Sequence, residues 1–206
     1  MTPPADPRLN SPAAERNRGP ILDVLRQVWP AQGAALEIAC GTGLHAVHFA
    51  AGLPGWSWQP SDPDAAALAS TAARVADAAL PNLLTPVRLD VMATPWPVRG
   101  PFDGIFCANL LHIAPWPTCA ALMQGAALHL APGGSLAVYG PFLVEGRPTA
   151  VGNVAFDADL RARNPAWGIR WLHDVEAQAG AAGLRLARQV PMPANNLMLV
   201  FDRAAA

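Results

Sequence analysis

Residues 36–49, LEIACGTGLHAVHF, run from a short apolar strand through two glycines directly into a helix. Gly41 and Gly43 let the chain turn tightly and let another molecule approach the backbone, because neither carries a Cβ. An acidic residue, Glu37, lies within the strand, and His45 follows the turn. A strand that feeds a helix so directly belongs to a crossover unit, and crossover units build parallel sheets.

The rest of the chain repeats this alternation. A helix is expected over residues 20–28, with Pro20 in its first turn. Strands are expected at 36–39, at 56–59, at 87–89, at 102–108 and in SLAVYGPF, and helices at 44–51, 63–80, 117–131 and 171–181. Residues 142–168 are polar, carry Asn and Arg, and fit no sheet position. LRLARQV and NNLMLVFD read as two closing strands. Their connection, PMPAN, is too short for a crossover helix, so they pair antiparallel. The expectation is one α/β domain over residues 1–206, a mostly parallel sheet with helices on both faces. An N-terminal arm spans 1–19 and an inserted lid spans 141–170.

Bulk properties narrow the partners. With 206 residues and 52% hydrophobic composition the chain can bury one sizeable core. Net charge is −1, which provides no field to draw the chain to nucleic acid or an anionic membrane. All 14 basic residues are arginines, so every permanent positive charge is a planar, fork-shaped donor. Cys40, Cys107 and Cys119 have neither zinc nor redox spacing and read as reduced thiols of a cytoplasmic protein. No run of apolar residues approaches the ~20 needed to span a bilayer. Oligomeric state is left open.

The glycine turn admits three ligands. A phosphate loop needs a Lys-Ser/Thr pair after the glycines, and GTGLHAVH has none. A dinucleotide fingerprint wants a third glycine where Ala46 stands, a tolerable change. S-adenosylmethionine has no phosphate, but its glycine turn commonly follows an acidic strand residue such as Glu37. Asp62, at the tip of the second strand, can accept both hydroxyl hydrogens of a ribose, or Ser61 or Asp62 can simply cap the next helix. Asp90, at the end of the third strand, can reach the exocyclic amine of an adenine. Three acids on successive strand ends point to an adenosyl ligand without separating methyl donor from dinucleotide.

NLLHIAPW, YGPF, FDADLRARNPAWGIR and MPANN, together with SPAAERNRGPIL, LEIACGTGLHAVHFA and WQPSDPD, resemble the methyltransferase-like protein 26 family, also called domain of unknown function 938 or UPF0585. The resemblance covers residues 11–203. It implies a Rossmann-like class I methyltransferase fold, seven strands in the order 3-2-1-4-5-7-6 with an antiparallel last strand. It also implies methyl transfer from S-adenosyl-L-methionine to a small molecule. By that resemblance Glu37, Gly41 and Gly43 hold the methionine end, Asp62 the ribose, and Asp90 with Val91 the adenine. After NPAWGIR the family has an aspartate where this chain has Trp171.

The remaining candidates follow from position. Arg16 and Asn17, in the ERN segment, are placed to fold over the cofactor, Arg16 as a fork-shaped donor to a carboxylate. His45 joins the cofactor side. His112 and Asn109, at the end of strand four, are the catalytic candidates, His112 as a base or as a shaped wall and Asn109 as a contact to donor or acceptor. Trp116, Tyr139, Asn153, Arg161, Asn164, Trp167 and Arg170 are the acceptor-side candidates. His45 and His48 lack a third ligand at zinc spacing, so no metal is expected. A non-catalytic adenosyl-binding module and an NAD-dependent oxidoreductase are the alternatives.

Overall fold

The computed structural model describes residues 6–203. The elements run α1 (Pro12–Val28), β1 (Gly33–Ile38), α2 (Leu44–Gly52), β2 (Trp56–Asp62), α3 (Ala65–Ala78), β3 (Val87–Arg88) and β4 (Phe102–Ala108). They continue with α4 (Pro117–His129), β5 (Leu130–Gly140), β6 (Phe142–Leu143), α5 (Val151–Arg163), β7 (Arg170–Trp171), α6 (Leu172–Ala181), β8 (Leu184–Met192) and β9 (Asn196–Arg203).

Seven strands make one sheet in the order β3-β2-β1-β4-β5-β9-β8. Numbered within that sheet alone, this is the expected 3-2-1-4-5-7-6. Pairing is parallel from β3 to β5, and β9 runs antiparallel to both β5 and β8. β6 and β7 form a separate parallel pair, matching Phe142 with Arg170.

Strand side chains alternate between the faces. Leu36 and Ile38, Ile105 and Cys107, Leu136 and Val138, and Leu199 and Phe201 share one core with Leu122 and Met123 of α4 and Val175 of α6. Their neighbours Ala35, Phe106, Ala137, Met198 and Val200 join Ile21 and Leu25 of α1, Phe49 of α2 and the indoles of Trp29, Trp56 and Trp58 on the other face. The loops that carry the site lie at the C-terminal ends of the parallel strands. There β2 and β4 leave β1 on opposite sides and open a crevice.

Three boundaries differ from expectation. α1 begins at Pro12 rather than Pro20, so Glu15, Arg16 and Asn17 lie on a helix and not in an arm. The Ser11 hydroxyl accepts the Ala14 N–H at 3.2 Å and Pro12 occupies the first turn, which is a complete start signal. Pro20 then removes one interior hydrogen bond, and burial of Ile21, Leu22 and Leu25 carries the helix through it. Residues 1–5 of the expected arm lie outside the described residues. β2 continues to Asp62, and the stretch expected to fit no sheet position begins with β6 of the small pair and holds α5, which buries only Leu160.

Candidate functional site

The glycine turn is fixed from below. Gly41 and Gly43 sit at φ +55° and +79°. A Cβ on Gly43 would lie 2.8 Å from both the Thr71 backbone and its hydroxyl, so the position requires glycine on both grounds. α3 holds the carbonyl side of the turn. Thr71 Oγ1 donates to Gly41 O at 3.3 Å, and Ser70 Oγ and Arg74 Nε both donate to Thr42 O at 2.9 Å. The Gly41 N–H donates at 2.9 Å to Asp62 Oδ2, and the Asp64 N–H donates at 2.9 Å to Asp62 Oδ1.

Each Asp62 oxygen thus spends one lone-pair direction on the backbone and keeps another. The helix cap considered for Asp62 or Ser61 belongs instead to Asp64, whose Oδ1 accepts the Ala67 N–H at 2.9 Å. Asp62 is buried, and desolvation raises its pKa against the two N–H donors that lower it. In the first turn of α2 the Leu44 N–H donates to Thr42 Oγ1 at 3.4 Å, and the N–H groups that follow have no partner within the helix.

Glu37 lies under this turn. It is buried, and the Trp58 indole N–H donates to its Oε2 at 2.7 Å. Burial pushes its pKa up to about 8, with the Trp58 bond opposing and the Asp62 charge adding. Ser61 Oγ donates to the Glu37 carbonyl at 2.7 Å, tying β1 to the end of β2. Asp90 is exposed in the turn after β3 and its Oδ1 accepts the Met92 N–H at 2.9 Å. Val91 beside it is buried, and the Leu89 N–H reaches the Asp62 carbonyl at 3.1 Å, so the third strand end is anchored to the second.

α1 reaches the same edge. Asn17 Oδ1 is 2.7 Å from His45 Nε2, and the Asn17 side chain lies near the Tyr139 hydroxyl of β5. Burial first, then the His48 and Arg18 charges, lower the His45 pKa to about 4, leaving a neutral ring stacked on Phe49. Tyr139 packs in the core on the α1 and α2 face of the sheet. Arg16, exposed on the helix, lies close enough to act on Tyr139 electrostatically.

At the tip of β4, Asn109 takes φ +59°, its N–H donates to Tyr139 O at 2.8 Å, and a single 3₁₀ turn, Leu110–His112, follows. His112 is buried with neither ring nitrogen paired. Its ring meets the edge of Phe142, and Nε2 packs on Gly140, where a Cβ would be 2.0 Å away. Burial, with Arg170 nearby, drops its pKa to about 3. Burial holds the ring neutral.

The acceptor-side candidates do not converge. The Arg170 guanidinium donates to the carbonyls of Leu111, Ala114 and Ala166 at 2.7–2.9 Å and packs over the Trp116 ring. It clamps the 110–116 loop and is not an open anion receptor. Arg161 pairs with Asp157 at 2.8 Å, Asn164 accepts the Ala166 N–H at 2.9 Å, and Trp167 lies under Arg163. Trp171 is exposed and stacks on His173.

Asn153 of this group lines a cavity. That cavity, about 240 Å³, lies where β5 and β8 end and is walled by Phe142, Val144, Met192 and Leu197, with Arg147 and Asn195 among its polar groups. Arg147 was not among the sequence candidates. Its one signal was negative: no acid stands three or four residues away to pair with it, as Asp157 pairs with Arg161.

A family model described as "Protein of unknown function (DUF938)" matches residues 8–203. The chain belongs to the DUF938 family. Solved structures show the same fold. Mitomycin 7-O-methyltransferase MmcR superposes with TM-score 0.79 at 16% identity, over 93% of this DUF938 chain and 54% of its own. An O-methyltransferase family 2 protein from Planctomyces limnophilus, in complex with apigenin, gives 0.75 at 20% identity, over 96% and 63%. Human N-acetylserotonin methyltransferase, in complex with SAM, gives 0.77 at 15%, over 93% and 53%. The DUF938 chain thus has the class I methyltransferase fold and spans little more than half the length of these relatives. No helix among the described residues is long and apolar enough to cross a membrane.

Proposed function

We propose that this protein binds S-adenosyl-L-methionine and transfers its methyl group to a small molecule. The observation that carries the reading is Asp62. Its carboxylate is held by the Gly41 and Asp64 N–H groups at the strand-order reversal, with lone pairs left for a ribose. The residues present fit the donor. Asp62 takes the ribose hydroxyls, Asp90 and Val91 the adenine, and Glu37 with the first turn of α2 the charged methionine end. A helix N-terminus favours a carboxylate, and a buried acid favours an ammonium group. Arg16 and Asn17 of α1, with His45 of α2, close that end, and Asn109 contacts donor or acceptor.

When bound, the donor supplies a methyl group already activated by a positive sulfur, so the protein's work is alignment and exclusion of water. His112 suits a neutral wall better than a base. A nitrogen with pKa about 3 holds a proton too weakly to keep one at neutral pH. The antiparallel β9 between β5 and β8, as in the methyltransferases above, favours this donor over a nicotinamide dinucleotide.

The test is to incubate the protein with donor bearing a deuterated methyl group and a small-metabolite extract, and to search for labelled products by mass spectrometry. A labelled small molecule dependent on Asp62 supports the proposal. Donor binding without any labelled product would leave an adenosyl-binding module.

A further inference from the structure

We propose that the cavity at the ends of β5 and β8 binds a small carboxylic acid, its carboxylate read by Arg147. That this acid is the methyl acceptor rests on the reading above; that it binds does not.

The argument begins with unspent donors. Among the described residues, Arg147 is exposed, makes no ion pair and no side-chain hydrogen bond, and lines a cavity with both apolar and polar walls. Glu145, two residues before it, forms no salt bridge with it. The other arginines of the same region are committed: Arg161 to Asp157, and Arg170 to three carbonyls. The Asn195 side chain is likewise without a partner, whereas Asn153 Nδ2 is used on the Asn195 carbonyl at 3.1 Å. A guanidinium presents a planar fork that matches a carboxylate, and a planar amide beside it adds a directed donor.

The walls set the rest of the ligand. Phe142, Val144, Met192 and Leu197 offer an aromatic face, aliphatic surface and a thioether, all suited to a flat or short apolar body. About 240 Å³ lies below the range that takes drug-sized ligands, which limits the occupant to roughly one ring or a short chain.

The site is also constructed rather than incidental. Asn195 is aimed by a hairpin turn in which Ala194 and Asn195 both adopt φ +57°, a conformation that disfavours alanine. Phe142 is the shared wall, lining the cavity and meeting the His112 ring at 5.5 Å between centroids. The cavity therefore adjoins the tips of β4 and β5. The carboxylate is a handle at Arg147, and the reactive atom of an acceptor is a different group.

The experiment uses the full chain without methyl donor. Benzoate, 4-hydroxybenzoate, phenylacetate and hexanoate, each beside its primary amide, are titrated by ligand-observed NMR. At least one acid should bind about tenfold or more tightly than its amide, and Arg147→Gln should erase that difference. Asn195→Gly, which keeps the positive φ without strain, should weaken the acid by a smaller factor. Equal binding of every acid and its amide, or an acid whose affinity survives Arg147→Gln, overturns the proposal. Acid binding that depends on Arg147 in a protein that never labels an acceptor sinks the methyltransferase reading and leaves the site. Labelling that is indifferent to Arg147→Gln keeps the methyltransferase reading and removes the acid's role as acceptor, while the acid–amide titration alone decides the site.

Discussion

The two ends of the ligand face are built by opposite means. At the β1–β2 end, three side chains of α3 hold the turn carbonyls, two backbone N–H groups hold Asp62, and Trp58 holds Glu37. At the β5–β8 end, the wall is a short insert whose helix α5 buries one side chain and leaves Val151, Val154 and Phe156 exposed, with Arg147 unpaired. The first end is fixed before any ligand arrives. The second gains partners only when one does. A common donor with a variable acceptor calls for that division, since preorganised polar groups favour one ligand and open ones admit change.

The contrast breaks first at Gly43. Gly43→Val would combine a positive φ with a collision against the α3 backbone, for a loss of ~4 kcal/mol or more in denaturant unfolding. Donor binding should vanish in whatever remains folded. A stable, donor-binding variant would show that the turn is not fixed from below.

Glu37 carries the next largest effect. Its pKa is about 8 folded against 4.5 in the unfolded chain, so the native state holds the proton more tightly. Stability is then greatest at low pH and falls as pH rises from about 4.5 through about 8, by up to ~5 kcal/mol. Glu37→Gln should flatten that slope and raise the melting temperature at pH 9, while weakening donor binding. Tighter folding with worse binding is what a preorganised charge site predicts.

His112 gives the opposite sign. With pKa about 3 folded and 6.5 unfolded, its burial contributes stability above pH 6.5 that is lost as pH falls toward 3, ~3 kcal/mol by pH 4. His45, at about 4, adds to the same acid sensitivity. His112→Leu should resist acid better than the parent, with any loss of turnover appearing mainly in KM. Loss of a pH limb in kcat would restore the base role.

Asp62→Ala should cost ~1.5–3 kcal/mol of donor affinity with smaller loss of fold, because ribose and backbone share the carboxylate. An unchanged dissociation constant in a folded variant would reduce Asp62 to a turn support. The smallest effect belongs to the acceptor end. Arg161→Ala removes one half-exposed pair with Asp157 and should change stability by about 0.5 kcal/mol or less.

Much of the first end was legible in the chain itself. The glycines, Glu37 and Asp62 are close in sequence to the elements that place them, and the strand at residues 102–108 was read with the bounds it has. The helix start was not, because Pro20 is a strong local signal that Ser11 capping and buried Ile21 and Leu25 override. The acceptor end was the least legible. Arg147, Arg161 and Arg170 are equivalent letters, and only tertiary contacts show that the latter two are already engaged. Tyr139 was hard to place for a related reason: strand alternation gives its face, but not that α1 packs over that face.

The most direct test is calorimetric titration of the unmodified protein with S-adenosyl-L-methionine, its demethylated product and NAD. Saturable one-site binding of the first two, abolished in Gly43→Val and weakened in Asp62→Ala, with no heat from NAD, is the predicted result. Saturable binding of NAD with no response to the methyl donor would contradict it.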